Sequence, residues 1–227
     1  MRPELRNIFG QSKPKFLLSD LFDKKKIVLV QLNKGLIGAD SAKLIGSMVV
    51  GLTWSLALSR AKIPAEQRHP VSVYIDELQD YLALPGDFAD SLAQARGLGV
   101  GFCVAHQYRS QIEPSMKAAI DTNARNKIIF GLNANDAKDM AAMAPELTHT
   151  DFMTLPRYHV YTQLQHGGKN TGWMTGKTFS APPAIRVPAE LKAESAKRYG
   201  LEPADTEPVL TKSEPIIASI GRKPITK

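Results

Sequence analysis

The chain has 227 residues, 43% hydrophobic and 22% charged, with a formal net charge of +7. That balance suits one soluble globular domain with a sizeable core and excludes a fibre, full disorder and, with a single cysteine, a disulfide scaffold. The positive charge fits an anionic partner such as nucleic acid and fits an ordinary basic protein equally well.

Residues 1–25 read as a mixed lead-in segment without the apolar core of a signal peptide. Lys24, Lys25 and Lys26 then precede an apolar run, residues 27–32, bounded by Asn33, Lys34 and Gly35, which predicts the first strand. Asp40 or Ser41 can cap a helix to about Arg60 whose apolar residues cover most of its circumference. Such a helix is expected to be buried between a sheet and a second layer. Its apolar part, residues 44–58, falls short of the roughly 20 residues that span a bilayer and contains Gly46, Ser47, Gly51, Thr53 and Ser55, so no membrane span is expected.

After a polar connection, residues 71–75 form a β-branched and aromatic run of the kind found in buried parallel strands, ending in Asp76 and Glu77. Pro85 and Gly86 break the chain, Asp87 offers a helix cap, and Phe88, Leu92 and Ala95 recur at helical spacing up to Arg96. Residues 100–105 predict a third strand ending in His106 and Gln107; Cys103 within it is expected to be buried and inert. Its use as a lone thiol fits a reducing cytoplasm. Pro114 opens a helix with Met116 and Ile120 on its core side, and residues 127–130 predict a fourth strand leading to a helix over 134–144 capped by Asn133.

This alternation implies parallel strands with right-handed crossovers, an α/β sheet covered by helices on both faces. Residues 158–164 and 173–179 flank Gly167 and Gly168 and predict an antiparallel hairpin at the edge of that sheet. From 181 to 227 prolines thicken and a mobile tail is expected, with at most one short helix over 189–199.

Polar groups fall at the C-terminal ends of successive strands: Asn33 and Lys34, then Asp76 and Glu77, then Gln107. In an open parallel sheet those ends face one crevice. Adjacent carboxylates there suit a nucleoside triphosphatase, the first helping to hold Mg²⁺ and the second polarising the attacking water. Gln107 would sense the γ-phosphate or that water; an ordinary polar strand end is the competing reading for all three. The five histidines, His69, His106, His149, His159 and His166, lack metal-ligand spacing, which ranks a metal-dependent hydrolase or nuclease last.

Residues 74–79, 93–100, 105–107 and 123–130 resemble, in order and spacing, the TraG/TraD-like coupling proteins of conjugative type IV secretion, relatives of the HerA and FtsK DNA translocases. The resemblance covers about residues 26–180 and implies a P-loop, RecA/FtsK-like fold, ATP and Mg²⁺ as cofactors, a hexameric ring, DNA as cargo, and relaxosome or secretion-channel proteins as partners. By that resemblance Asp76 is the Walker B acid and Mg²⁺ ligand, Glu77 the catalytic glutamate, and Gln107 the sensor that faces nucleotide. Arg96 matches an arginine finger acting across a subunit boundary, against a plain helix C-terminal cation. Arg125 and Lys127 are weaker candidates for trans or DNA contacts.

The phosphate loop of such a motor, G-x-x-x-x-G-K-[ST], does not precede the Asp76 strand. The nearest match, residues 172–178, has three residues between its glycines, and Pro182 and Pro183 follow where a helix should stand; residues 97–101 precede their strand instead of following one. The expectation is therefore a partial motor core over 26–180, its Walker A half upstream, inactive alone and binding ATP at best in the millimolar range, roughly 4 kcal/mol. The upstream part or partners would hold it at the cytoplasmic face of the membrane. A non-catalytic adaptor for a motor ring, a relaxosome protein or DNA is the alternative.

Overall fold

The computed structural model describes residues 14–81 and 88–200, in two compact units: the described residues of 18–185, and residues 14–17 with 186–200. The predicted chain break at Pro85 and Gly86, the Asp87 cap and the tail beyond residue 200 lie outside the described residues. The larger unit runs α1 (Asp20–Asp23), α2 (Lys34–Ile37), α3 (Ala39–Ser59), β1 (Val71–Ile75), α4 (Phe88–Gln94), β2 (Val100–Val104), α5 (Pro114–Asn123), β3 (Lys127–Ile129), α6 (Ala134–Ala141), α7 (His149–Met153), β4 (His159–His166) and β5 (Lys169–Lys177).

β1 and β2 pair in parallel, Val71 opposite Val100 and Ile75 opposite Val104. Because side chains alternate along a strand, Val71, Val73 and Ile75 share a face with Val100, Phe102 and Val104. That face is covered. Ile75 joins Val50 of α3, Leu78, Ile112, and Met116 and Ile120 of α5 in one core cluster, and Val71 and Val100 join Phe22, Ala57 and Ala95 in a second. Each such aliphatic or aromatic burial contributes about 1.5–3 kcal/mol. The opposite face carries Ser72, Tyr74, Gly101 and Cys103, all exposed, Tyr74 at 76%. Among the described residues this second face carries no helix, and one expectation is corrected: Cys103 is an exposed thiol, because it lies on that side of the pleat.

The predicted first strand is also corrected. Residues 27–32 are extended, but among the described residues they pair with no strand and make no backbone hydrogen bond. A cavity of about 1290 Å³ separates them from β1, with α3 as its floor. Ile27 and Leu29 are 89% and 86% exposed, so the apolar run has the composition of a strand without its neighbour.

The predicted fourth strand, β3, joins a different sheet, in the order β3-β4-β5 and antiparallel throughout. A strand, helix, strand alternation fixes the crossover but not the neighbour, and β3 finds Thr162 and Tyr161 of β4 opposite Ile128 and Ile129. The hairpin turns at Gly167 and Gly168, with φ of 57° and 80°, the sign that a tight primed turn requires and glycine supplies. α6 and α7 cover this sheet through Ala137, Met140, Ala144 and Phe152, whose ring meets Tyr161 and Trp173 edge-on at 5.3 and 6.1 Å. Thr148 and Asp151 form a capping box that starts α7.

α3 buries Ala42, Ile45, Gly46, Val50, Thr53 and Ala57 along one stripe and exposes Leu44, Met48, Leu52 and Leu58 on the other, so it too lacks the second layer expected from its composition. With the following turn, residues 39–62, it is long and apolar enough by length and composition to cross a membrane, yet one side of it forms the core beside the parallel sheet. In the smaller unit, α8 (Pro188–Tyr199) starts on a proline; Tyr199 stacks edge-on with Phe16 at 5.6 Å, and Lys15 donates to the Gly200 carbonyl at 2.8 Å.

Candidate functional site

At the end of β1 the chain turns on a strained residue. Glu77 has φ of 53°, the left-handed region, which costs a non-glycine residue about 1–3 kcal/mol. Neighbours hold it there. The Glu77 N–H donates to Asp76 Oδ1 at 3.0 Å, and the Leu78 N–H donates to the Ala105 carbonyl, just past β2, at 2.9 Å. Leu78 itself is 1% exposed and anchors the following 3₁₀ turn, Leu78–Tyr81, in the core.

This turn aims the Glu77 carboxylate across the end of the sheet. Gln107 Nε2 donates to Glu77 Oε1 at 3.2 Å, and Lys34 Nζ donates to Glu77 Oε2 at 2.6 Å. Lys34 also pairs with Asp80 Oδ2 at 2.5 Å, and Lys43 stands 3.7 Å from Asp80 Oδ1. Lys34 is delivered by the first turn of α2, which Asn33 caps by accepting from the Gly35 N–H at 2.9 Å. Groups from the ends of β1, β2 and the extended segment thus meet in one place, the convergence expected of a parallel sheet.

Charge within the cluster is mutually compensated. Hydrogen bonds from Lys34 to Asp80 and then to Glu77 hold its ammonium well above the ordinary lysine range. Partial burial pushes the Asp80 carboxyl up, but the hydrogen bond and charge of Lys34 outweigh it, so Asp80 lies below the ordinary carboxylate range. Burial, then Asp80, push the Tyr81 phenol up.

Asp80 escaped the sequence reading. Its signal is the spacing: in a 3₁₀ turn residues three apart eclipse, which brings Asp80 beside Glu77. Asp76 is exposed, with Oδ1 engaged by the Glu77 N–H. Arg96 is not brought to this cluster. It lies in the 3₁₀ turn Ala95–Leu98 before β2, at the other end of the sheet, roughly 16 Å away for five strand residues. Arg125 is exposed after α5. Lys127, offered above for trans or DNA contacts, is half-buried and donates to the carbonyls of Asp121 and Ala124 at 3.1 and 2.8 Å. It closes the C-terminus of α5, and burial pushes its ammonium down. Residues 172–178 lie in and just after the antiparallel strand β5, not in a loop ahead of a helix.

These residues fit one part of a metal–nucleotide site. Mg²⁺ is usually held by one or two carboxylates together with substrate phosphates and water, a mode open to Asp76. The described residues hold no cluster of three or more His, Cys, Asp or Glu side chains able to cage an ion, and no glycine-rich loop ahead of a helix to wrap phosphates. Among the described residues the acid side of such a site is present and the phosphate side is not.

No protein-family model matches the sequence, and no curated protein matches it significantly. Solved structures do match. The bacterial conjugative coupling protein TrwB in an unbound form aligns with TM-score 0.50 and 18% identity over 63% of this chain and 39% of that one. The plasmid coupling protein TrwB in complex with ADP and Mg²⁺ aligns at 0.51 and 17%, over 63% and 38%, and TrwB with a non-hydrolysable ATP analogue at 0.51 and 19%, over 64% and 39%. The chain therefore has the α/β fold of part of a TrwB-type P-loop ATPase core, and it spans less than two fifths of the length of the chains it matches.

Proposed function

We propose that this chain is the acid-and-sensor part of a conjugative coupling ATPase, the region that polarises water and reports on nucleotide while other polypeptide cradles the phosphates. The observation that carries the reading is the meeting of Lys34, Glu77 and Gln107 at the C-terminal ends of two parallel strands, around a Glu77 held in a strained conformation.

In this reading Asp76 helps hold Mg²⁺ with the nucleotide phosphates, and Glu77 accepts a proton from, or orients, the attacking water. Gln107, already bonded to the Glu77 carboxylate, links the state of the phosphate to the end of β2. Arg96, at the far end of the sheet from Glu77, does not join this cluster, which is compatible with a finger acting on a neighbouring subunit's site within a ring. ATP with Mg²⁺, DNA, a hexameric assembly and relaxosome or secretion-channel proteins are the implied cofactors and partners, at the cytoplasmic face of the membrane. The described residues offer no glycine-rich loop ahead of a helix for the phosphates, so the chain alone is expected not to hydrolyse ATP.

The test is Glu77→Gln in the protein as its host makes it. The reading expects DNA transfer to be abolished while assembly is retained. Transfer that survives the substitution refutes hydrolysis at Glu77 and leaves a non-catalytic adaptor. DNA contact is read separately, as a steep loss of affinity between low and physiological salt.

A further inference from the structure

The turn that carries Arg96 is soft by composition. It is a short 3₁₀ stretch, Ala95–Leu98, whose hydrogen bonds are poorer than those of an α-helix, with glycine at positions 97 and 99. Ala95 and Leu98 are buried and pin its flanks, but Arg96 is exposed and a Cβ on Gly97 would meet nothing within 4 Å. Packing therefore does not hold the peptide between Arg96 and Gly97 in place.

Two arginines hold it instead. Arg68, half-buried in the connection ahead of β1, gives three hydrogen bonds, all to main-chain carbonyls: Nε to Ile63 at 2.7 Å, one Nη to Ala61 at 3.2 Å, the other to Gly97 at 2.5 Å. Two of these tie it to the segment after α3, and the third crosses to the turn. Arg60, 4% exposed and stacked over the Phe22 ring, repeats the pattern by donating to the carbonyls of His69 at 2.6 Å and Gly99 at 3.3 Å. Gly99 closes the turn with φ of 71°, and a Cβ there would lie 3.4 Å from the Arg68 Cβ and 3.5 Å from Arg60 Nη1.

The arrangement carries a cost that a plain tie would avoid. Burial, then the like charge of Arg68, push the Arg60 guanidinium below its ordinary range, against the pull of Asp23. A neutral amide could bond one of these carbonyls without bringing a second cation beside Arg60. The guanidinium fork of Arg68, with its donors in fixed geometry, spans carbonyls on two segments at once. What the two arginines secure is the backbone beside Arg96. Arg68 grips Gly97, the next residue, and Arg60 grips Gly99, whose N–H donates back to the Arg96 carbonyl at 3.1 Å.

We propose that Arg68 is a positioning residue for Arg96: by holding the Gly97 carbonyl against the segment after α3, it fixes the direction in which the Arg96 side chain leaves the chain. Arg96 then meets the nucleotide of a neighbouring subunit in one orientation, without first having to order a loose turn. That step rests on the proposed function; the grip on the turn does not. Arg68 touches no reacting group and acts through Arg96. A brace that only stabilises the fold would use the same hydrogen bonds, and the two roles differ in what they do to Arg96.

The grip is measured without nucleotide. A nitroxide attached through Arg96→Cys, in a Cys103→Ser background of the purified chain, should show restricted motion, and Arg68→Ala should shift its spectrum toward the fast motion of an untethered loop. A label attached through Lys138→Cys on α6 should not respond, which separates a loosened turn from a loosened fold. Arg68→Gln keeps one amide donor but does not span both segments, and it should loosen the turn likewise should the alanine variant not fold. A label at position 96 that stays restricted without Arg68 overturns the proposal.

The role is measured as ATP turnover by the assembly isolated from the cells that make the protein. An arginine acting on transition-state charge is worth about 10³–10⁵ in kcat, and a misplacement of about 1 Å costs about 10²-fold. Arg68→Ala should therefore lower kcat about 10²-fold, leave KM for ATP within about twofold, and cost nothing further in an Arg96→Ala background. Losses that multiply in the double variant show a structural brace and overturn the proposal. Absent turnover, or turnover indifferent to Arg96→Ala, with the label at position 96 still loosened by Arg68→Ala, retires the finger of the proposed function and with it the role of Arg68, and leaves a structural tie.

Discussion

Arg109 joins the two sheets of the larger unit, and removing it tests whether they fold as one. Its side chain is 8% exposed. The guanidinium donates to both oxygens of Asp121, at 3.0 and 2.6 Å, its Nε lies 3.7 Å from Asp139, and its own N–H reaches Asp136, a carboxylate 3% exposed that Asn133 also donates to at 2.8 Å. Asp121 holds the guanidinium pKa above its ordinary range, against burial. Arg109→Met therefore strands carboxylates that were paired. Breaking a buried pair costs about 3–5 kcal/mol, and because Asp121 keeps 21% of its surface in water the lower end applies, about 3 kcal/mol. At 2–4 °C per kcal/mol for a chain of this size, the midpoint should fall by roughly 6–12 °C. Arg109→Lys keeps the charge but not the fork and should lose about half as much.

The two tryptophans make the assay specific. Trp54 packs 6.4 Å from Phe102 of the parallel sheet, and Trp173 packs on Phe152 in the antiparallel one. Urea unfolding of Trp54→Phe and Trp173→Phe variants therefore reports each sheet alone. With Arg109 present the two transitions should coincide; in Arg109→Met they should separate. A loss below about 1 kcal/mol with coincident transitions would refute the clamp.

Gly46→Ala should destabilise by about 1–3 kcal/mol, less up to ~1 kcal/mol regained in helix propensity, because the new methyl meets the Tyr81 ring and Leu32; Gly46→Ala with Tyr81→Leu should recover most of the loss in urea titrations. Glu77→Gly relieves a left-handed residue and should leave stability unchanged or raised by about 1 kcal/mol while abolishing function, and a loss of stability would show that Glu77 is not strained. Burial, then Arg109, depress the His106 pKa below 6.5, against the opposing pull of Asp136 and Asp121. The unfolded chain then binds the proton more readily than the fold does, so stability should fall as pH drops below about 6.5, and His106→Gln should flatten that slope in thermal melts at pH 7 and pH 5.5. Thr148→Ala removes the cap of α7 and should cost about 1 kcal/mol by the same melts.

Much of the site was legible because it is local. A β-branched run that ends in two acids, and a second run that ends in Gln107, place those groups at strand ends whatever the neighbours are, and the parallel pairing of β1 with β2 brings them together. The hairpin was legible for the same reason, since Gly167 and Gly168 supply the turn conformation themselves. What failed was everything that depends on the neighbour. The apolar runs of residues 27–32 and 127–129 have strand composition, but composition does not say which edge a strand meets, and the first meets none while the second meets β4. Cys103 and Leu44 were expected inside because buried strands and helices in such folds are covered on both sides; here the covering layer is absent among the described residues.

The strain at Glu77 separates a functional reading of this corner from a structural one. A glycine would take the left-handed turn without penalty, and the anchors that set the turn, Leu78 to the Ala105 carbonyl and Leu78 in the core, do not use the Glu77 side chain. Nor does the carboxylate repay its cost through stability, since its ion pair with Lys34 is 41% and 35% exposed and pairs that wet contribute little. A bulky acid kept where glycine would be easier, and held between a lysine and a glutamine at the ends of two parallel strands, supports the proposed function, in which Glu77 acts on a group outside the chain, over a purely structural role. Whatever that group is, it must compete with Lys34 for the carboxylate, so the first measurable sign of its arrival is the release of Lys34 from Glu77, visible as a fall in the lysine ammonium pKa from its raised value toward the ordinary range.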